Sequence, residues 1–239
     1  MDWCRQCAAV IPCFNEAAGI SDVVTGVRRF LPAVIVVDDG SEDGTSARAA
    51  AAGAEVLHHA TNRGKGAALQ TGWQRARERG FAWSLTLDGD GQHAAEDAPR
   101  LLSRAETTGA ALVIGNRLDQ PDGMPWVRLW VNRWMTWRLS RAAGMPLADS
   151  QCGFRLVKLD LLSRLRLQAQ HFEIESEMLL AFVAAGQRVE FVPVRTIYKS
   201  HPSKIHPLLD TWRWFRWWWT WRSEHPAVAD GVPEGATKP

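Results

Sequence analysis

The sequence predicts an α/β fold: a mostly parallel sheet flanked by helices, with amphipathic helices toward the C-terminus. Two observations predict it. Short apolar, β-branched runs alternate with segments of helical period through the first half of the chain. Several of those runs end directly on acidic or glycine-rich loops, as buried parallel strands do where they reach the ligand-binding edge of an open sheet.

Residues 8–11 form a first short strand that stops at Pro12. A helix over 16–30 follows, with Ile20, Val23, Val24 and Val27 on one face. The run at 34–37 is fully apolar and closes on Asp38-Asp-Gly-Ser41. The pattern then predicts a helix over 43–52, a strand over 55–58 and a helix over 66–79. A buried strand over 81–87 ends on Asp88-Gly-Asp-Gly-Gln92, and a helix at 96–107 leads to a strand at 111–114. The second half is less regular. It gives a helix over 126–142, a polar turn at 149–155 leading into Leu156-Val157, a helix over 172–185, a strand over 189–194 and a last helix over 207–222. The expected organisation is one domain over 1–206, an interface helix at 207–223 and a disordered tail at 224–239.

A chain of 239 residues with 46% hydrophobic side chains can bury one substantial core. The 28 basic and 26 acidic residues leave a net charge of +2, which argues against a nucleic-acid binder. The four cysteines carry no second Cys-x-x-Cys pair. The pair Cys4 and Cys7 therefore reads as part of a frayed N-terminus, and a reducing, cytoplasmic compartment is expected. No apolar run is long enough to span a bilayer.

Chemistry concentrates at the strand ends. Asp88 and Asp90, flanked by glycines, can converge on one hard divalent cation, Mg²⁺ or Mn²⁺, shared with substrate phosphates. Asp38 and Asp39 can accept from a nucleobase N–H or from ribose hydroxyls. Asn62-Arg-Gly-Lys-Gly66 opens a helix and suits phosphate binding, although it lacks P-loop spacing.

Taken in order, Pro12-Cys-Phe-Asn-Glu16, Asp38-Asp-Gly-Ser41, Arg63-Gly-Lys-Gly66, Asp88-Gly-Asp-Gly-Gln92, Gly115-Asn-Arg117, Gln151-Cys-Gly-Phe-Arg155 and Ser203-Lys204 resemble family-2 glycosyltransferases of the GT-A fold. The likeness is to the branch of dolichol-phosphate mannose synthases and polyprenyl-phosphate glycosyltransferases, over roughly residues 8–210. The resemblance implies that Pro12, Phe14, Glu16, Val37 and Asp39 line the nucleotide pocket. It implies that Asp88, Asp90 and Gln92 serve metal and diphosphate, with Gly89 between them, and that Arg117 and Arg128 serve phosphate charge. Lys65 and Arg155 join the substrate-binding set as members of matching motifs. Position 14 is Phe where the family usually has Tyr, so a contact through a phenol oxygen is lost. Those synthases also carry an Arg shortly before their Ser-Lys; here that role passes to Arg195 or Lys199, beside Lys204, or is absent.

The implied reaction moves a sugar from a nucleotide-sugar to a lipid-linked acceptor. A phosphate acceptor needs no general base, only cations such as Arg117, Arg128, Lys199 and Lys204. A hydroxyl acceptor needs a carboxylate, and Asp149 or Asp90 is the candidate. Glu173, Glu175 and Glu177 read as helix-dipole partners. An inactive nucleotide-sugar or lipid-binding protein is the competing class.

Ten of the 13 Trp fall in two segments, 126–137 and 212–221, interleaved with Arg. Trp126, Trp130, Trp134 and Trp137 share one helical stripe. In the last helix Trp and Phe215 cover most of the circumference around Arg213 and Arg216. Trp with Arg is the composition of a lipid headgroup interface. Peripheral attachment to the inner face of the cell membrane is expected, with a Trp-mediated dimer or a membrane partner protein as the alternative.

Overall fold

The computed structural model describes residues 1–119, 121, 123–197 and 207–224. In chain order the elements are α1 (Trp3–Gln6), β1 (Cys7–Cys13), α2 (Ile20–Arg28), β2 (Val34–Asp38), α3 (Thr45–Ala51) and β3 (Glu55–His58). Next come α4 (Lys65–Glu78), β4 (Trp83–Thr86), a 3-10 turn (Ala95–Asp97), α5 (Ala98–Thr108) and β5 (Leu112–Asn116). The remainder is α6 (Trp126–Ala143), β6 (Arg155–Lys158), α7 (Leu159–Leu162), α8 (Ile174–Ala184), β7 (Val189–Pro193) and α9 (Pro207–Glu224).

The seven strands form one sheet in the order β3-β2-β1-β4-β6-β5-β7. All neighbours pair in parallel except β6, which runs antiparallel to both β4 and β5. Every side chain of β1 and β2 is buried, which explains their continuous apolar sequence. On α2 the buried residues are the expected Ile20, Val23, Val24 and Val27, each worth about 2 kcal/mol when fully buried. Gly72 lets α4 lie close on the sheet: a Cβ there would sit 2.4 Å from a methyl of Val10 and 3.2 Å from one of Val37.

Three departures from the sequence-based expectations matter. Residue Leu156-Val157 belongs to an antiparallel strand. Its start, Arg155, pairs with Thr86 at the carboxyl end of β4, so the loop preceding β6 lands at the ligand edge of the sheet. The N-terminus is not frayed. The α1 turn seats Trp3 edge-on to Trp83, with ring centroids 5.6 Å apart, and both Trp3 Nε1 and the terminal ammonium donate to Glu106. All four cysteines are free, and Cys7 is buried in β1.

The third departure concerns the tryptophans. Trp214, Trp218 and Trp221 of α9 are buried, with Trp214 and Trp218 stacked at 5.6 Å and Trp218 and Trp221 at 5.7 Å. Trp214 donates from Nε1 to Ser176 Oγ of α8 at 3.0 Å and meets Trp134 of α6 edge-on at 5.9 Å. This half of α9 is core, not interface. Trp126, Trp130 and Trp137 of α6, together with Trp212, Phe215 and Trp219 of α9, remain exposed. Among the described residues no helix is long and apolar enough to cross a membrane. The expected tail lies, beyond Glu224, outside the described residues.

Candidate active site

Strand order reverses at β1, which has β2 on one side and β4 on the other. The crevice beyond the carboxyl ends of β1 and β4 is where an open α/β sheet receives ligands. Four loops converge there.

The first two are laced together. Asp39 N donates to Cys13 O at 2.8 Å, Asn15 N to Ser41 Oγ at 2.8 Å, and Glu16 N to Thr45 Oγ1 at 2.8 Å. Asn15 takes a left-handed conformation (φ 54°) and accepts from Glu42 N at 2.9 Å, closing the turn. Pro12 is buried at the end of β1, while Phe14 is 38% exposed at the rim. Val37, expected on the pocket wall, is fully buried and packs toward Gly72 of α4, so it forms the floor beneath the site.

Asp39 is buried, and its carboxylate organises the third loop. It accepts from Arg63 N at 3.0 and 3.1 Å and from Gly64 N at 2.7 Å. His59 Nδ1 lies 2.6 Å from Asp39 Oδ1, and its Nε2 lies 3.0 Å from Thr71 Oγ1 of α4. The nucleotide role expected of Asp39 is thus joined to a structural one. Asp38 likewise holds Ser41 N at 2.9 Å and the Ser46 hydroxyl.

The fourth loop carries Asp88 and Asp90. Asp88 Oδ1 lies 2.5 Å from Lys65 Nζ, and Lys65 in turn reaches Glu175 Oε1 at 2.6 Å. His93 Nε2 stands 3.3 Å from Asp88 Oδ2. Burial disfavours the Asp88 anion, but the Lys65 charge and the His93 contact outweigh it and hold the carboxyl well below the usual range. Burial also works against the Lys65 ammonium, and the two carboxylates more than compensate, raising its pKa. Gly153 explains why the Gln151-Cys-Gly-Phe-Arg155 segment needs its glycine. A Cβ there would lie 2.8 Å from Asp88 Oδ2 and 2.9 Å from both Glu175 Oε1 and Lys65 Nζ. Gly89 allows a similar approach to the β1 loop, 3.0 Å from Cys13 Cβ and 3.4 Å from Glu16 Cγ. Asp90 accepts from Gln92 N at 2.9 Å, and Gln92 Oε1 accepts from Arg128 Nη1 at 3.4 Å, which brings the start of α6 to this loop.

Arg117 follows β5. Its Nε and Nη2 form a fork with Asp149, at 2.8 and 3.1 Å, and Arg117 N adds a third bond at 3.1 Å. Both side chains are buried. Burial opposes the Asp149 charge, yet Arg117 overcomes it and the carboxyl stays below its ordinary value. Asp149 was a candidate base; the structure makes it the clamp that orients Arg117. Arg155 requires a second correction. It is 1% exposed, and its guanidinium donates to the carbonyls of Cys152 (2.7 Å), Glu175 (2.6 Å) and Ser150 (2.8 Å), so it ties the loop to α8 and faces no substrate. Burial pushes the neighbouring Cys152 thiol up to about 12, which removes it as a nucleophile. Arg195 turns to Asp97, with N at 2.8 Å and Nε at 3.5 Å, although Ile197 N donates to Gln92 O at 2.8 Å beside the site. Lys199 and Lys204 lie outside the described residues.

Sequence reasoning missed Glu175, His59 and His93. Glu173, Glu175 and Glu177, which the sequence presents as helix-dipole partners, are all buried. Glu177 accepts from Gln168 N and Ala169 N at 2.9–3.0 Å, while Glu175 completes the Lys65 cluster. Three acids opening an otherwise apolar helix was the available signal.

Residues 8–166 match the model of glycosyl transferase family 2, across the Asp39, Lys65, Asp88–Asp90 and Arg117–Asp149 groups just described. The chain belongs to that family. This glycosyltransferase is 34% identical over 177 residues to a polyprenol monophosphomannose synthase of Mycolicibacterium smegmatis, covering 69% of this chain and 66% of the relative. It is 32% identical over 206 residues to an undecaprenyl-phosphate mannosyltransferase of Micrococcus luteus, covering 80% and 83%. Its fold matches a GT-A enzyme, glucosyl-3-phosphoglycerate synthase of Mycobacterium tuberculosis. That structure, solved with Mn²⁺, UDP and product, aligns at a TM-score of 0.70 and 20% identity over 97% of this chain and 82% of the other. A complex of the same enzyme with Mg²⁺ and UDP aligns at 0.69 and 22%, covering 97% and 81%.

Proposed function

We propose that this glycosyltransferase moves a sugar from a UDP- or GDP-sugar to a polyprenyl phosphate at the surface of the cell membrane. The names of the Mycolicibacterium and Micrococcus relatives support a polyprenyl-phosphate acceptor. The observation that carries the choice of acceptor is the Arg117–Asp149 fork. A hydroxyl acceptor needs a base; of the two candidates, Asp149 is buried, paired and held ionised below its usual range, and Asp90 is the carboxylate assigned to the metal. A phosphate acceptor needs no base.

Asp88, Asp90 and Gln92 would hold Mg²⁺ or Mn²⁺. Two carboxylates and an amide suit a hard ion that completes its shell from substrate phosphates and water. Among the described residues no group of three or more His, Cys, Asp or Glu side chains is arranged to hold a metal, so the diphosphate would have to contribute ligands. When bound, such an ion neutralises charge on the diphosphate leaving group. The chain's own groups do the rest. The Lys65 ammonium, fixed between Asp88 and Glu175, lies at the start of α4 beside the loop that Asp39 tethers. Arg117, aimed by Asp149, and Arg128, beside Gln92, would hold the acceptor phosphate in line. A phosphate oxygen then bonds to the anomeric carbon as the bond from that carbon to the diphosphate breaks. The exposed Trp126, Trp130, Trp137, Trp212 and Trp219 would rest in the headgroup layer and present the site to the lipid.

A panel of UDP- and GDP-sugars with Mn²⁺ or Mg²⁺, assayed for nucleoside diphosphate release, tests this reading. Release should depend on polyprenyl phosphate and should not occur with the dephosphorylated polyprenol. Equal release with polyprenol would favour a hydroxyl acceptor.

A further inference from the structure

We propose that the cleft between the C-terminal half of α6 and the end of α9 binds an anionic phospholipid headgroup, at a site separate from the transfer centre. The cleft encloses about 740 Å³, within the range of pockets that take organic ligands. Arg138, Arg141 and Arg222 line it with Trp137 and Trp218, and among the described residues no carboxylate lines it. Arg138 is stacked over two indoles, 5.5 Å from the Trp218 ring centroid and 6.0 Å from that of Trp134. Its buried Nε has no hydrogen-bond partner among the described residues. An anion in the cleft would meet charge-assisted hydrogen-bond donors on the arginines that line it. Arg141 lies 5.4 Å over Trp137, whose ring is half exposed at the mouth. The carbonyls of Ser140 and Arg141 at the end of α6 accept from Met145 N and Gly144 N, and the three positive side chains outweigh the roughly half negative charge of the helix C-terminus.

This cleft is not the acceptor site. Arg128 marks that site through Gln92, and Arg138 lies ten residues further along α6, about 15 Å away at the helical rise. One phosphate cannot bridge the two. The choice of a lipid headgroup over a free phosphate rests on the membrane reading of the exposed Trp rings. Trp137 belongs both to that exposed set and to the cleft wall, so a lipid anchored in the bilayer can place its phosphate among the arginines and its glycerol on the indole.

Calorimetric titration of the full chain with soluble dihexanoyl phosphatidylglycerol tests the site, with dihexanoyl phosphatidylcholine and inorganic phosphate as comparison arms. Saturable binding of the anionic lipid is expected, with the other two at least about tenfold weaker. Arg141→Gln and Arg222→Gln should each weaken it about fivefold, additively. Because Arg138→Gln removes a cation from the Trp stack it occupies, those two variants carry the result, with thermal melts confirming their fold. Equal binding of both lipids, binding indifferent to the arginine variants, or inorganic phosphate binding as tightly as the lipid would each overturn the headgroup site. Vesicle sedimentation separates the two readings. A chain that binds neutral vesicles but not the soluble lipid loses the cleft and keeps membrane docking. One that binds the soluble lipid but no vesicles keeps an anionic-headgroup site and loses membrane docking.

Discussion

Lys65 sets its ammonium 2.5 Å from Asp88, joining the helix that follows the third loop to the acidic end of β4. Gly153 provides the space for that contact and for Glu175 beside it. Gly153→Ala would push three flexible charged tips aside, so the fold should tolerate it while their alignment shifts. Turnover is expected to fall about 100-fold with a melting temperature near wild type. Unchanged turnover would show that the Lys65–Asp88–Glu175 geometry is not used.

Asp149→Asn leaves Arg117 buried beside a neutral amide and should cost about 3 kcal/mol near neutral pH. Folding lowers the pKa of Asp149, so its pairing stabilises fully above the unfolded value of about 3.9 and is lost as pH falls through the lowered one. The gap between wild type and variant should therefore narrow on acidification below about pH 4. Denaturant unfolding as a function of pH reads this directly; a constant gap would contradict the assignment.

Much of the first half was legible because each strand signals itself. The β-branched run ending on Asp38, and the apolar run ending on Asp88, announce both the strand and the loop that follows it. The four residues Arg155–Lys158 carry no mark of direction, so the antiparallel course of β6 was invisible, and with it the arrival of Gly153 beside Asp88. Arg117 and Asp149 are 32 positions apart and meet only through that topology. Helical period puts Trp214, Trp218 and Trp221 on one stripe of α9 and Trp212 and Trp219 on another, but it does not say which stripe faces inward. Trp214, Trp218 and Trp221 lie inward and Trp212 and Trp219 outward because α6 and α8 cover one side.

Asp39→Ala should raise KM for the nucleotide-sugar more than it lowers kcat. The carboxylate holds Arg63 N and Gly64 N, and losing it frees the loop before any reaction step. A melting-temperature loss equivalent to about 1–3 kcal/mol should accompany it, from amides left without their acceptor. Steady-state kinetics showing a normal KM and a collapsed kcat would assign Asp39 to the chemical step.

Removing α9 is a poor test of membrane attachment, because Trp214, Trp218 and Trp221 belong to the core. Trp126→Ser and Trp219→Ser, at rings 79% and 78% exposed, should each weaken sedimentation with vesicles roughly tenfold and leave stability unchanged. Trp218→Ser should instead destabilise the fold by about 3 kcal/mol or more. Vesicle binding indifferent to the two exposed rings would assign them to a protein interface.

The most direct measurement follows a radiolabelled sugar from its nucleotide donor into the organic phase. With wild-type protein, Mn²⁺ or Mg²⁺ and polyprenyl phosphate, the label should become lipid-extractable with release of one nucleoside diphosphate per sugar. EDTA should abolish the transfer, and Asp90→Ala should reduce it about 100-fold or more while the variant melts like wild type. Label that stays aqueous, or transfer that survives both chelation and Asp90→Ala, would contradict metal-assisted transfer to a lipid phosphate.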